Sequence, residues 1–214
     1  MHQTINNLIS IKKQLDLAKC NSNIIAVSKT FSLPSIIPLI EYGHIHFGEN
    51  KVQEAVNKWT DVKAKNNNLK LHMIGKLQTN KVKYAVPLFD YIHSLDNIKL
   101  AEKISLEQTK KNKYLKIFIQ VNIGDENQKS GVNIGDVDFF YKECISKFNL
   151  NIVGLMCIPP VNEHKEKYYK SIKKLNDSLG LIHLSMGMSA DYMDAIKCGS
   201  TYLRIGSNIF GKRV

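Results

Sequence analysis

The chain has 214 residues, 43% hydrophobic and 23% charged, which is an ordinary composition for a folded globular protein. Its formal net charge of +11 raises nucleic acid as a partner. However, the pairs Lys12-Lys13, Lys110-Lys111 and Lys173-Lys174 are scattered over polar faces, with no arginine-rich arm and no aromatic–basic alternation, so specific nucleic-acid binding is not expected. No apolar run approaches the ~18 residues of a membrane span and the N-terminus has no signal-peptide pattern, so a cytoplasmic protein is expected.

An amphipathic helix over 3–19 leads the chain, followed by a strand over 24–28 (IIAVS). Ser32 can cap the next helix, with Pro34 in its first turn and Gly43 at its end. Pro38 should shorten or kink that helix. A second strand over 44–47 precedes a helix over 51–59, and the polar stretch 63–70 (KAKNNNLK) reads as a loop. Strands over 71–74, 91–94, 115–122, 152–156 and 181–185 alternate with helices over 79–86, 98–109, 137–147, 163–179 and 190–197. An eighth strand over 202–205 leads into a short turn at 208–210.

Such alternation predicts parallel strands joined by crossover helices. Eight units fit a single TIM-type (β/α)8 barrel spanning 1–214, with an extra N-terminal helix. A doubly wound open sheet is the runner-up. It would favour a glycine-rich loop after the first strand, where the chain instead has Lys29-Thr30-Phe31-Ser32. The four cysteines, Cys20, Cys144, Cys157 and Cys198, lie far apart with no metal spacing and read as reduced, mostly buried thiols. His44 and His46 would share one face of a strand. They have no third ligand nearby and read as core or rim residues, so no metal site is expected.

In a barrel the functional face lies at the C-terminal strand ends. Lys29 follows the first strand, Gly48-Glu49-Asn50 the second and the run from Gly75 to Lys81 the third, while Arg204 lies on the last strand ahead of Gly206-Ser207. Gly187, Ser189, Gly206 and Ser207 permit close backbone approach and offer hydroxyl donors in the two loops that often bind phosphate in barrels. Ser189 is expected to start a helix whose amides favour an anion. Lys29, at the mouth of an apolar barrel, would be disfavoured in its charged form, as Schiff-base chemistry requires. Arg204 keeps its charge and must face a ligand or an acid. A phosphate, a lysine at an aldehyde and an arginine at a ring nitrogen together describe bound pyridoxal 5'-phosphate.

The stretches AVSKT (26–30), HFGENKVQE (46–54), HMIGKLQTNK (72–81), VNIGDENQKSG (121–131), GLMCIPP (154–160) and LSMGMSADYMDAIKCGSTYLRIGSNIFG (184–211) cover nearly the whole chain. In that order they resemble the pyridoxal phosphate homeostasis proteins, whose barrel is similar to the N-terminal domain of alanine racemase. The resemblance implies that Lys29 carries the cofactor and that Ser189, Gly206 and Ser207 hold its phosphate. It also implies that Arg204 faces the pyridine nitrogen and that Asn50 lines the pocket. Lys76 stands where the family more usually has histidine or proline, and the roles of Lys76, Lys81 and Lys129 are left open.

An arginine at the pyridine nitrogen makes the ring a weaker electron sink. Alanine racemase draws a tyrosine base from a second domain, and no such domain is expected here. The expected function is therefore cofactor binding and homeostasis or delivery, with no substantial turnover and no catalytic residues. The expected partners are apo pyridoxal phosphate enzymes, and the expected state is a monomer or weak homodimer. The alternatives are a pyridoxal phosphate-dependent racemase or decarboxylase, a phosphosugar enzyme using Lys29, and a basic nucleic-acid-binding protein.

Overall fold

The computed structural model describes residues 1–126, 128–161 and 163–211. Among the described residues there are nine strands: β1 (Asn23–Val27), β2 (His46–Glu49), β3 (Lys70–Met73), β4 (Tyr91–Leu95), β5 (Lys116–Asn122), β6 (Val132–Asn133), β7 (Ile152–Cys157), β8 (His183–Met188) and β9 (Tyr202–Ile205). Eight of them run parallel in the order β1-β2-β3-β4-β5-β7-β8-β9, and β9 returns to pair with β1. Because β4 also pairs with β5, the sheet closes, which overturns the open-sheet alternative. The two-residue β6, not expected from the sequence, adds beside β5 at Val121–Asn122.

The helices are α1 (Gln3–Leu17), α2 (Leu33–Glu41), α3 (Val52–Lys65), α4 (Val82–Leu88), α5 (Ile98–Lys111), α6 (Val137–Ser146), α7 (Glu166–Ser178), α8 (Tyr192–Lys197) and α9 (Ser207–Phe210). In α1, Leu8, Ile11 and Leu15 recur at helical spacing and are buried. Asn7 Nδ2 donates to the Ile209 carbonyl at 2.9 Å, tying the leading helix to α9.

Each strand sends alternate residues to opposite faces. The outward set (Ala26, Phe47, Leu71, Ile117, Leu184 and Leu203 among them) merges with the helices into one apolar layer. The inward set is different. Ile25, Tyr91, Phe118, Met156 and Tyr202 form a small separate cluster, and His72 and His93 are fully buried. The expectation of an apolar barrel interior is therefore corrected. The wall–helix layer takes the apolar positions, and the strand segments HFGE, KLHM and YIHSL place their histidines on the other face.

Several element bounds differ from the sequence expectation. Pro38 sits inside α2 without shortening it, and the helix runs to Glu41. The missing N–H removes one i→i−4 bond, and Gly43 (φ +88°) ends the turn as expected. α3 extends to Lys65 into the stretch read as a loop. Lys63 anchors it, with Nζ 2.8 Å from the Leu88 carbonyl and 2.5 Å from Asp90 Oδ2. β8 starts later and runs further than expected, because Ile182 is exposed and a register shift between Ser185 and Met188 lets the strand continue. His44 precedes β2 and does not share its face, and its Nε2 lies 2.9 Å from the His46 carbonyl oxygen. The cysteines are free thiols, with Cys144 and Cys157 buried, and burial pushes both up to about 12. Among the described residues, no cluster of three metal-ligating side chains occurs and no helix is long and apolar enough to cross a membrane.

Candidate functional site

At the C-terminal mouth of the barrel lies a cavity of about 470 Å³. Lys29, Asn50, Ser189, Arg204, Gly206 and Ser207 all line it, so the fold brings together the six residues singled out from the sequence. Lys76 lines it too. Lys81 and Lys129 do not, and Lys129 pairs with Glu126. Asn127, within the stretch 121–131, lies outside the described residues.

Lys29 is half-buried in the turn after β1, on a backbone held from behind. The next residue, Thr30, has φ +66°, unusual for a β-branched residue. Its N–H donates to Glu54 Oε1 at 2.8 Å, which holds that conformation. Ser28 Oγ donates to the fully buried Glu49 Oε1 at 2.8 Å, and Trp59 Nε1 donates to the same oxygen at 2.9 Å. Lys58 Nζ binds the Ser28 carbonyl, Glu49 and Glu54 at 3.0, 3.0 and 3.1 Å. Burial works against the Glu54 carboxylate, but the Thr30 amide and Lys58 outweigh it and hold its pKa below the usual value. This support was not anticipated from the sequence. A cue was present in the spacing of Glu49, Glu54 and Lys58, since Glu54 and Lys58 lie four apart on α3.

Across the mouth, the loops after β8 and β9 are joined through Ser189. Its Oγ accepts from the Gly206 and Asn208 amides at 3.2 and 3.4 Å, and its carbonyl accepts from Asn208 Nδ2 at 2.9 Å. A hydroxyl and two backbone N–H groups thus converge beside the cavity, a donor set suited to an oxyanion. Two details correct the sequence reading. Ser189 does not start a helix, because α8 begins at Tyr192. Asp191 instead accepts from the Met188 amide at 2.6 Å and from Lys165 at 2.5 Å. Gly187 does not line the cavity. It has φ +89°, and a Cβ there would lie 2.6 Å from Ala195 Cβ, so glycine is required for strand geometry and packing on α8. At Gly206 a Cβ would meet Val27 at an ordinary 3.5 Å, so the fold itself does not demand glycine there. Gly75 is the tighter position, with its Cβ site 2.4 Å from the Asn50 carbonyl, and it sets Asn50 against the cavity.

Arg204 reaches the cavity from β9 while 5% exposed. Its NH1 donates to the carbonyl and to Oγ of Ser185, both at 2.7 Å, and its NH2 donates to the Cys157 carbonyl at 2.9 Å. These acceptors are neutral, so the guanidinium charge is held in place without being cancelled by direct pairing. Burial lowers its pKa from the ordinary value, opposed by Cys157, Tyr169 and Asp191 nearby. Gln120 Nε2 donates to the Ser130 carbonyl at 2.9 Å, and both residues bound the cavity, as does Phe31, which stacks on Phe210 at 4.9 Å. No motif pointed to Gln120, for which inward register on β5 was the available signal; Ser130 lies within the stretch 121–131 but was not singled out.

Known proteins resemble this chain over nearly its whole length. A model of the family described as alanine racemase, N-terminal domain, matches residues 3–214. A pyridoxal phosphate homeostasis protein of Aquifex aeolicus is 37% identical over 201 residues, covering 90% of this chain and 87% of that protein. PipY of Synechococcus elongatus, solved with PLP bound, superposes with a TM-score of 0.88 at 30% identity, covering 98% of this chain and all of that one. An alanine racemase of Clostridium difficile shares the fold, with a TM-score of 0.76 at 16% identity, over 99% of this chain and 57% of its own.

Proposed function

The chain belongs to the alanine racemase N-terminal domain family and, within it, to the pyridoxal phosphate homeostasis proteins, and from that premise we propose that it binds pyridoxal 5'-phosphate through Lys29 and serves cofactor homeostasis or delivery. The observation that carries this reading is the shared cavity: two amines, Lys29 and Lys76, one buried guanidinium and a cluster of hydroxyl and amide groups bound a space of about 470 Å³. That volume lies within the range of small-molecule sites.

The residues divide the work. Ser189, Ser207 and the Gly206 amide would hold the phosphate, with Asn208 N–H beside them. Arg204 would serve the pyridine nitrogen, and as a group that can only donate it would keep that nitrogen unprotonated. Asn50 bounds the pocket. Lys29 would supply the amine for the cofactor's aldehyde, a pairing that releases water. When bound, the cofactor supplies an electron sink, weakened here because the nitrogen carries no proton.

The carrier role draws support from the pocket's chemistry. The ionisable groups among the described cavity-lining residues are Lys29, Lys76 and Arg204, all basic, with no carboxylate, phenol or imidazole. Proton exchange on two faces of a substrate needs two positioned acid–base groups. The protein as a single barrel domain, the apo pyridoxal phosphate enzymes as recipients, the cytoplasm as location and a monomer or weak homodimer as assembly state complete the reading.

The decisive test is the visible spectrum after adding pyridoxal phosphate to the wild type and to Lys29→Ala. A Schiff-base band in the wild type, lost in the variant, is expected. A band retained in Lys29→Ala would move the linkage to another lysine, with Lys76 first. Absence from both would return the phosphosugar reading. Amino-acid racemisation or decarboxylation at ordinary enzymatic rates would overturn the carrier role.

A further inference from the structure

A continuous line of hydrogen bonds runs through the barrel interior, away from the cavity. His46 Nδ1 lies 2.9 Å from His72 Nε2, His72 Nδ1 lies 2.9 Å from His93 Nε2, and His93 Nδ1 lies 2.8 Å from Ser185 Oγ. Ser185 Oγ in turn accepts from Arg204 at 2.7 Å. The rings step along β2, β3 and β4 with centroids 5.1 Å apart, from half-buried His46 at the opposite end of the column to Arg204 at the cavity. Nothing in the cofactor-binding role described above uses the three imidazoles.

We infer that His93, backed by His72 and His46, is a positioning residue that fixes the proton of Ser185 and so the acceptor face that Ser185 presents to Arg204. This rests on the cofactor reading above and extends it to residues outside the cavity. The argument is one of proton count. Arg204 can only donate. A neutral imidazole has one donor and one acceptor nitrogen, so a line of them has a direction. If Ser185 donates to His93 Nδ1, then His93 and His72 each carry hydrogen on Nε2 and pass it to the next Nδ1. Every contact is then a donor meeting an acceptor, and the line ends with the His46 Nε2–H. In the reverse direction His93 and Arg204 would both donate to Ser185 Oγ, and among its partners in the structure the hydroxyl hydrogen of this fully buried side chain would find no acceptor. Burial in the low-dielectric interior holds His72 and His93 well below the ordinary imidazole pKa, in keeping with neutral rings.

Two measurements test this. Nitrogen-15 spectra of the protein without cofactor should show His46, His72 and His93 with hydrogen on Nε2; hydrogen on Nδ1 of any of them would overturn the inference. The second compares cofactor affinity and band position in the wild type, His93→Leu and His93→Asn. Leucine removes the acceptor, whereas the asparagine oxygen can stand in for Nδ1. His93→Leu should bind roughly tenfold more weakly, the scale of one hydrogen bond to a charged donor, and shift the band, with His93→Asn restoring both. Unchanged binding in a folded His93→Leu, or a folded His93→Asn as impaired as leucine, would refute the positioning role. A wild type without any band would sink the Lys29 reading instead, leaving the nitrogen-15 result to decide the direction of the line.

Discussion

The two faces of the barrel wall are built from the same strands and carry opposite chemistry. Outward, Phe47, Leu71, Ile117 and Leu203 join helix residues such as Trp59 and Ile104 in one apolar layer. Inward, His46, His72 and His93 run to Ser185 and Arg204, flanked by Tyr91 and Tyr202, which stack on or tilt against the imidazoles. The outer face gains stability from area removed from water. The inner face buries a smaller apolar cluster, Ile25, Phe118 and Met156 among it, beside its polar groups. It holds polar groups in fixed directions, because in a closed interior each must find a partner.

The largest effect should come from breaking the outer layer. Trp59→Ala removes a fully buried ring that packs on Phe47 and donates to Glu49. A loss of about 3–5 kcal/mol in urea unfolding is expected. A loss under about 1 kcal/mol would mean that the layer repacks around the gap.

Acid should break the inner face instead. Unfolded histidines take up a proton near pH 6.5. Burial holds His44 and His46 at about 4, and it holds the fully buried His72 and His93 well below the ordinary imidazole value. Between pH 6.5 and 4 the unfolded chain therefore binds more protons than the native one, and stability falls as pH falls. From pH 7.5 to 5 the loss should be about 2 kcal/mol from His46, held at about 4, with the fully buried His72 and His93 adding to the fall in the same direction. Replacing either with a residue that does not titrate should flatten that slope. An unchanged slope would show that the buried rings are not its source.

A smaller effect should separate function from stability. Ser189→Ala deletes the oxygen that joins the loops after β8 and β9. It should weaken pyridoxal phosphate binding by about 1.5 kcal/mol, roughly tenfold. The urea midpoint should stay nearly constant, since Ser189 lies outside the apolar layer. Full affinity in this variant would remove Ser189 from the phosphate site.

The smallest effect belongs to the solvent face. Lys142 and Asp138 form an i,i+4 pair with both side chains more than half exposed. Lys142→Ala should change stability by less than about 0.5 kcal/mol and leave cofactor affinity unchanged.

Much of this was legible in the chain. The apolar strand segments alternating with helical patterns gave the barrel, and the position of Lys29, Asn50, Ser189, Arg204, Gly206 and Ser207 near strand ends put them at one mouth. Their motifs carried the family resemblance as well. The His72–His93 contact was not legible. Both residues sit in short apolar strands, and which face each occupies depends on barrel closure. The Glu49–Lys58 support for Lys29 was hidden for a related reason, since it joins a strand end to a helix face and depends on how the two pack. The β8 boundary was misplaced because Gly187, with its positive φ, continues the strand through a register shift rather than ending it.

Periodicity is a local property, so the sequence by itself determined the element order, the barrel class and the six residues that come to line one cavity. Hydrogen-bond partnership is a property of the closed barrel. Only the tertiary structure could decide that residues from β2, β3, β4, β8 and β9, as far as 92 positions apart for a single contact, meet in one directed line behind Arg204. The physical reason is that an inward side chain is defined by the register of its neighbours, and register exists only once the strands have paired.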